Sequence, residues 1–156
     1  MTVTERGPDR TAELLTGDLG FRLVDEQGDR YRFDVGPGGP GALVDVLAQP
    51  AGPRGLVAAG TVHHVAWRAP DDQHQSAWRA SLVDRGVDVT PILDRQYFHS
   101  IYFREPGGVL FEIATDNPGF AIDEPVSGLG TGLRLPPWLE PQRDQIAAQL
   151  PELKLS

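Results

Sequence analysis

The chain has 156 residues, which is enough for one domain with a sizeable core and short for two. Its net charge of -8 argues against a nucleic-acid partner, because phosphate binding requires clustered lysine and arginine. The absence of cysteine excludes disulfides, zinc-thiolate sites and thiol nucleophiles, which fits the reducing cytoplasm.

Membrane association is not indicated either. No apolar stretch approaches the length that crosses a bilayer, and residues 1–6 lack the hydrophobic region of a signal peptide. The 18 glycines and 14 prolines lie between periodic segments, which is typical of many tight turns. We therefore expect an acidic, turn-rich, cytoplasmic protein.

The first third of the chain follows the order strand, helix, strand, strand, strand. A strand at residues 2–5 precedes a helix that begins near Asp9 and ends before Gly20. Aspartate in the first helical turn and glycine past the last turn are common start and stop signals. The strands that follow are predicted at residues 21–24, 30–35 and 42–47. This first module covers about residues 1–50.

The same order returns over about residues 60–116. A strand at residues 62–67 precedes a helix that begins near Asp71 and ends before Gly86. Further strands are predicted at residues 87–89, 97–103 and 109–113. The repeat predicts an α+β fold in which two βαβββ modules form a curved mixed sheet around a cleft.

The repeat also predicts a domain organisation. The two modules are expected to form one domain over residues 1–120. Residues 121–156 are expected to pack on this domain as a C-terminal extension, with a short helix near residues 141–150 because proline suits the first helical position.

Two side chains in the second module suggest a metal site. Strand alternation places His64 opposite the apolar face that carries Trp67, so His64 is expected to point into the cleft and His63 away from it. Glu112 lies in an apolar strand, where a carboxylate is costly to bury unless it is paired or bound to a cation. The two residues could be ligands of a 2-His-1-carboxylate iron site, or only a polar pair and a salt-bridge partner.

Longer segments carry a family resemblance. Residues 60–68 and 94–116, together with the tail at 135–141, resemble the C-terminal half of ring-cleaving dioxygenases that act on hydroquinones. These enzymes belong to the vicinal-oxygen-chelate superfamily, which includes glyoxalases and bleomycin-resistance proteins. The resemblance covers nearly the whole chain.

The resemblance implies a site and its ligands. His64 and Glu112 would bind Fe(II), with Mn(II) as the alternative metal. His63, Arg95 and Tyr102 would bind and orient the oxygens of a small aromatic substrate and transfer protons, with O2 as co-substrate. From the residues alone, Arg95 could equally form an ion pair with Asp94 or a neighbour, and Tyr102 could be a half-buried strand aromatic. His74 and His99 are expected at the surface.

The chain departs from the family pattern in one respect. Such dioxygenases hold two of these domains in one chain, and the remaining histidine ligand comes from the N-terminal half. Spacing between the modules places Thr2 at the position of His64 and Asp45 at that of Glu112. The third ligand is therefore expected from a paired N-terminal half, a partner chain or a homodimer.

Three other functions remain open on the sequence. One is a metal-dependent lyase or isomerase of the glyoxalase type. Another is a metal-free module that binds small molecules, as drug-sequestering members of the superfamily do. The third is an inert half-domain that requires its missing partner.

Overall fold

A computed structural model describes residues 1–53 and 55–151 of the chain. Residues Met1–Asn117 form one compact unit, and a second unit begins at Pro118. The predicted domain boundary near residue 120, and the packing of the tail on the domain, stay predictions.

The first module forms a four-stranded mixed sheet in the order β1-β4-β3-β2. Strand β1 runs parallel to β4, whereas β3 is antiparallel to both β4 and β2. Its elements are β1 (Thr2–Glu5), α1 (Asp9–Gly17), β2 (Arg22–Gln27), β3 (Arg30–Asp34) and β4 (Leu43–Ala48).

The second module repeats this arrangement in the order β5-β8-β7-β6, again with its first and last strands parallel. Its elements are β5 (Val65–Ala69), α2 (Asp72–Asp84), β6 (Leu93–Asp94), β7 (Phe98–Arg104) and β8 (Leu110–Pro118). The predicted α+β fold with two βαβββ modules is confirmed. The strand predicted at residues 87–89 is reduced to one bridge between Val89 and Phe103, and β6 takes its place in the sheet after Pro91, which has no N–H to donate.

The second unit contains three short 3-10 turns and one helix, α3 (Arg143–Gln149). The helix predicted near residues 141–150 is therefore confirmed. In the described part of the chain, no helix is long and apolar enough to cross a membrane.

One hydrophobic core joins the two modules. Leu15 of α1 and Leu82 of α2 are buried in it together with side chains from both sheets. The rings of Phe21 and Trp67, one from each module, meet edge to face with centroids 5.1 Å apart. The alternation of β8 places Phe111 and Ile113 in this core and turns Glu112, between them, to the other face. The fold thereby separates an apolar side of the second sheet from the side that carries polar groups.

Candidate metal centre

His64 lies directly before β5, which begins at Val65 rather than at the predicted residue 62. The prediction that Trp67 belongs to the apolar face of this strand is confirmed, because its side chain packs against the core. The expectation that His63 points away from His64 is wrong, because the strict alternation of a strand does not extend to residues outside it. The Nδ1 atoms of His63 and His64 lie 2.9 Å apart, so one ring must donate to the other.

His64 and Glu112 meet on the polar side of the second sheet. The Nε2 atom of His64 lies 2.7 Å from the Oε2 atom of Glu112. The carboxylate is 3% exposed, so it is almost fully removed from water. The ladder between β5 and β8 sets this contact, because it places Ala66 opposite Glu112 and thereby His64 at the end of the same strand pair.

The other oxygen of Glu112 is held by two hydroxyl groups of β7. The Oε1 atom accepts a hydrogen bond from Tyr102 at 2.8 Å and a shorter one from Ser100. Ser100 and Tyr102 are two residues apart, so they share the strand face that looks toward Glu112. Sequence reasoning found Tyr102 and missed Ser100, although the same alternation could have identified it.

Arg95 lies beside Tyr102. Its guanidinium carbon is 5.4 Å from the centre of the tyrosine ring, which is within range of a cation–π contact. Arg95 has no ion pair within residues 1–53 and 55–151, and the Oδ1 atom of Asp94 instead accepts the backbone N–H of Gln96. The alternative in which Arg95 pairs with Asp94 is therefore wrong.

A tight turn fixes the backbone next to Arg95. The N–H of Tyr97 donates to the carbonyl of Arg95 at 2.9 Å, which closes a three-residue γ-turn around Gln96. Gln96 has a φ of 70° and is the non-glycine residue with positive φ in the described ranges. Such turns are strained, and strain of this kind is concentrated at functional sites.

Gln75 connects helix α2 to the backbone behind the site. Its side chain is fully buried, and its Nε2 atom donates to the carbonyls of His99 at 2.8 Å and Ile113 at 2.7 Å. These two residues directly neighbour Ser100 and Glu112 in sequence. The glutamine therefore fixes the relative position of β7 and β8 where the site is built.

The site cluster, defined as the six residues brought together here, consists of His63, His64, Arg95, Ser100, Tyr102 and Glu112. Two donors that each lie about 2.1 Å from one cation, at right angles, are about 3 Å apart. The 2.7 Å between His64 and Glu112 is close to this value, and imidazole with carboxylate suits iron or manganese. Groups of three or more His, Cys, Asp or Glu that could hold a metal are absent from the residues that the structure describes. Within the described residues, the spacing of His64 and Glu112 is thus compatible with a shared cation, and no third residue of these types joins them.

The first module has a different arrangement at the matching strand position. Asp45 lies opposite Thr2 in the ladder, as Glu112 lies opposite Ala66, so the match of Thr2 with His64 that spacing suggested is wrong. Asp45 accepts hydrogen bonds from Arg30 at 2.7 Å and from Arg32 at 2.7 and 2.9 Å. The hydrogen bonds from the two arginines lower the pKa of Asp45 to about 2. Its charge is therefore already compensated by the protein.

The two remaining histidines lie outside the site cluster. His74 is exposed and contacts Asp71, which confirms the surface prediction for that residue. His99 is only partly exposed, and its Nδ1 atom lies 2.5 Å from Oδ1 of Asp72 in the first turn of α2. These contacts attach histidines to helix α2 rather than to the site.

An apolar recess of about 490 Å³ opens beside His64. Its remaining walls come from both modules: Met1, Thr2, Val3, Val62, Val65 and Val109. Pockets that bind small molecules have this size and this mainly apolar lining. The recess could therefore receive a small apolar ring next to the histidine.

The family is shown by comparison with known proteins. The sequence model of the Glyoxalase/Bleomycin resistance protein/Dioxygenase superfamily matches residues 2–113. The chain belongs to this superfamily. The match covers the two βαβββ modules described above from β1 into β8.

Members of this superfamily that resemble the chain include dioxygenases. The chain is 48% identical over 145 residues to MhqO of Bacillus subtilis (strain 168), which is provisionally named a ring-cleaving dioxygenase. This alignment covers 93% of the chain and 46% of MhqO. It is 36% identical over 124 residues to the chlorohydroquinone/hydroquinone 1,2-dioxygenase of Sphingobium indicum, covering 76% of the chain and 38% of that enzyme.

A crystal structure shows the same fold at higher coverage. The structure of a Bacillus subtilis protein provisionally named a dioxygenase superposes with a TM-score of 0.91 and 46% identity, over 98% of this chain and 49% of that protein. The chain spans about half the length of the curated relatives that it matches.

Proposed function

We propose that the chain is the metal-bearing half of an iron(II)-dependent ring-cleaving dioxygenase and corresponds to the C-terminal half of its longer relatives. The contact between His64 Nε2 and Glu112 Oε2 at 2.7 Å carries this proposal, because it aims two ligand types of non-haem iron at one point. The dioxygenase names of the similar proteins support it.

His64 and Glu112 would hold Fe(II), with Mn(II) as the alternative. A paired half would provide the remaining histidine, from an N-terminal segment, a partner chain or a second copy of this chain. When bound, the metal would bring the ring oxygen of the substrate and O2 together and help electrons pass between them. All further roles belong to side chains of this protein.

His63 would hold or move a proton. Its Nδ1 faces His64, so Nε2 is the ring nitrogen left for a substrate hydroxyl. When His64 binds a cation through Nε2, its Nδ1 carries the proton and donates to His63, which orients the ligand ring. His63 would therefore orient His64 through Nδ1 and carry its own proton on Nε2, where it would donate a hydrogen bond to an oxygen of the substrate.

Arg95 and Tyr102 would position the substrate. The guanidinium of Arg95, which has no ion pair among the described residues, would stabilise a phenolate oxygen, and the recess beside His64 would hold the aromatic ring. The proton of Tyr102 is directed at Glu112, so its oxygen is free to accept a substrate hydroxyl. In the reaction both atoms of O2 enter the product as the bond beside the hydroxyl-bearing carbon breaks, so no other oxidant or reductant is consumed.

Metal analysis after anaerobic purification tests the proposal. We expect iron or manganese in the wild-type protein and in Glu13→Gln, a control that removes an exposed carboxylate from α1. Glu112→Gln and His64→Ala should retain metal only at background level. Full metal occupancy in Glu112→Gln would refute its role as a ligand. Oxygen uptake with hydroquinone, on addition of Fe(II) and a paired half, tests the activity and separates it from a lyase or isomerase.

A metal-free binding function is the second candidate. His64 and Glu112 satisfy each other's hydrogen-bonding groups directly, and the described ranges contain no three-residue ligand group. The apolar recess would then bind a small aromatic molecule without chemistry. Calorimetry with hydroquinone in the presence of a chelator distinguishes the two, because only this candidate predicts binding that is independent of metal.

A further inference from the structure

We propose that Ser100 is a positioning residue that leaves Glu112 only one oxygen for a cation. This inference rests on the proposed metal site. Ser100 is 0% exposed, and its hydroxyl contacts Oε1 of Glu112 across the β7–β8 pair. It is not among the residues that line the recess, and its hydroxyl donates to Glu112, so its effect on a cation would pass through Glu112.

The two oxygens of Glu112 have different surroundings. Oε1 accepts hydrogen bonds from Ser100 and Tyr102, which occupy its two lone-pair directions. Oε2 faces His64. A cation that used both oxygens would have to displace a hydroxyl that is buried and has no water to turn to. The cation would therefore be held through Oε2 alone, and one more of its coordination positions would stay open for substrate or O2.

Ser100 and Tyr102 both donate to Oε1 of Glu112, but they differ in burial. Tyr102 is only partly buried, and its ring also approaches His64 and Arg95. Ser100 lies deeper in the sheet and has Glu112 as its side-chain partner in the described ranges. Its substitution therefore isolates the effect of orienting the carboxylate from any contact with substrate.

Mn(II) binding to the metal-free chain under nitrogen tests the proposal, with Glu112→Gln as the blank for binding to other carboxylates. We expect Ser100→Ala to bind Mn(II) about ten- to a hundredfold more weakly, the usual effect of removing a hydrogen-bond partner of a ligand. Thr115→Ala is the matched control, because it removes a buried hydroxyl from the opposite face of β8. It should leave the affinity unchanged.

Infrared difference spectra, Mn(II)-loaded minus metal-free, report the binding mode. The wild type should show the widely spaced carboxylate bands of single-oxygen coordination, and Ser100→Ala the closer bands of two-oxygen coordination. Tyr102→Phe removes the second donor to the same oxygen and keeps the test available if Ser100→Ala fails to fold. The double variant should lose less Mn(II) binding free energy than the two single variants lose in sum, because both hydroxyls donate to Oε1 of Glu112.

Three outcomes are decisive. Weaker binding with a changed band spacing in Ser100→Ala or Tyr102→Phe, but not in Thr115→Ala, supports the inference. Wild-type affinity and bands in both hydroxyl variants, with binding lost in Glu112→Gln, overturn the inference and leave the proposed metal site intact. Absence of Glu112-dependent binding in the wild type overturns the metal site and the inference together.

Discussion

Thr11 of α1 and Glu105, which follows β7, join the two modules through a hydrogen bond of 2.5 Å between Oγ1 and Oε2. The same hydroxyl lies 2.7 Å from Oε2 of Glu5. One hydroxyl proton cannot be donated to both carboxyl groups, so one of them must itself carry a proton. Burial, reinforced by the charge of Glu105, raises the pKa of Glu5 to about 7, which places the proton on Glu5.

Stability should therefore fall as the pH rises through neutrality. The pKa of Glu5 is higher in the folded chain, at about 7, than its ordinary value of 4.5, so its contribution is complete below pH 4.5 and is lost as pH rises through 7. Urea unfolding at pH 5 and pH 8 should show a loss of about 2 kcal/mol in the wild type after allowance for screening by solvent. Between pH 5 and pH 8, Glu5→Gln should lose less free energy of unfolding than the wild type, and Glu13→Gln should lose as much as the wild type. Equal pH dependence in all three proteins would contradict the placement of the proton on Glu5.

The second prediction concerns Asp45. Its pKa is lowered by the hydrogen bonds from Arg32 and Arg30, so its contribution to stability is present above its ordinary value of 3.8 and is lost as the pH falls through about 2. Asp45→Asn should lower the free energy of unfolding at pH 7 by about 1 kcal/mol, since solvent screens the two partly exposed arginines. Asp29→Asn, an exposed aspartate in the turn before β3, serves as control. A loss that persists undiminished at pH 2 would argue against the ion pairs.

Gln75 gives a third prediction. Gln75→Leu keeps an apolar side chain of similar size but leaves the carbonyls of His99 and Ile113 without their donor, which should cost about 2–3 kcal/mol. Gln73→Leu on the exposed side of the same helix should have little effect. Thermal unfolding of both variants measures the difference in stability. Equal unfolding temperatures for Gln75→Leu and Gln73→Leu would show that the two hydrogen bonds of Gln75 do not stabilise the sheet.

The fourth prediction separates Arg95 from the metal ligands. Arg95 contacts the ring of Tyr102 but neither His64 nor Glu112, so Arg95→Gln should leave Mn(II) affinity unchanged. If the proposed activity is correct, its kcat/KM for hydroquinone should fall about tenfold or more, because the positive charge opposite a phenolate oxygen is lost. A variant that loses metal together with activity would place Arg95 in a different role.

The sequence predicted the parts of the structure that follow simple periodicity. The repeated order of elements gave both modules, and the period of two in β8 separated Phe111 from Glu112. His63 was misplaced because alternation was applied to residues that precede the strand, where backbone direction is not set by a ladder. Alternation in β7 places Ser100 on the face of Tyr102, but its contact with Glu112 and that of Gln75 with Ile113 depend on neighbours 12 and 38 residues away in sequence, which a local pattern does not contain.

Asp45 and Glu112 occupy equivalent places in the two sheets, yet only one is held by guanidinium groups of its own sheet. A guanidinium that is tethered to the backbone cannot exchange with solvent, whereas the cation proposed at Glu112 could. Introducing a histidine next to Asp45 would therefore not create a second ion-binding centre. Arg30 and Arg32 would both have to be replaced first, and the first sheet would then have to tolerate a carboxylate with no internal partner.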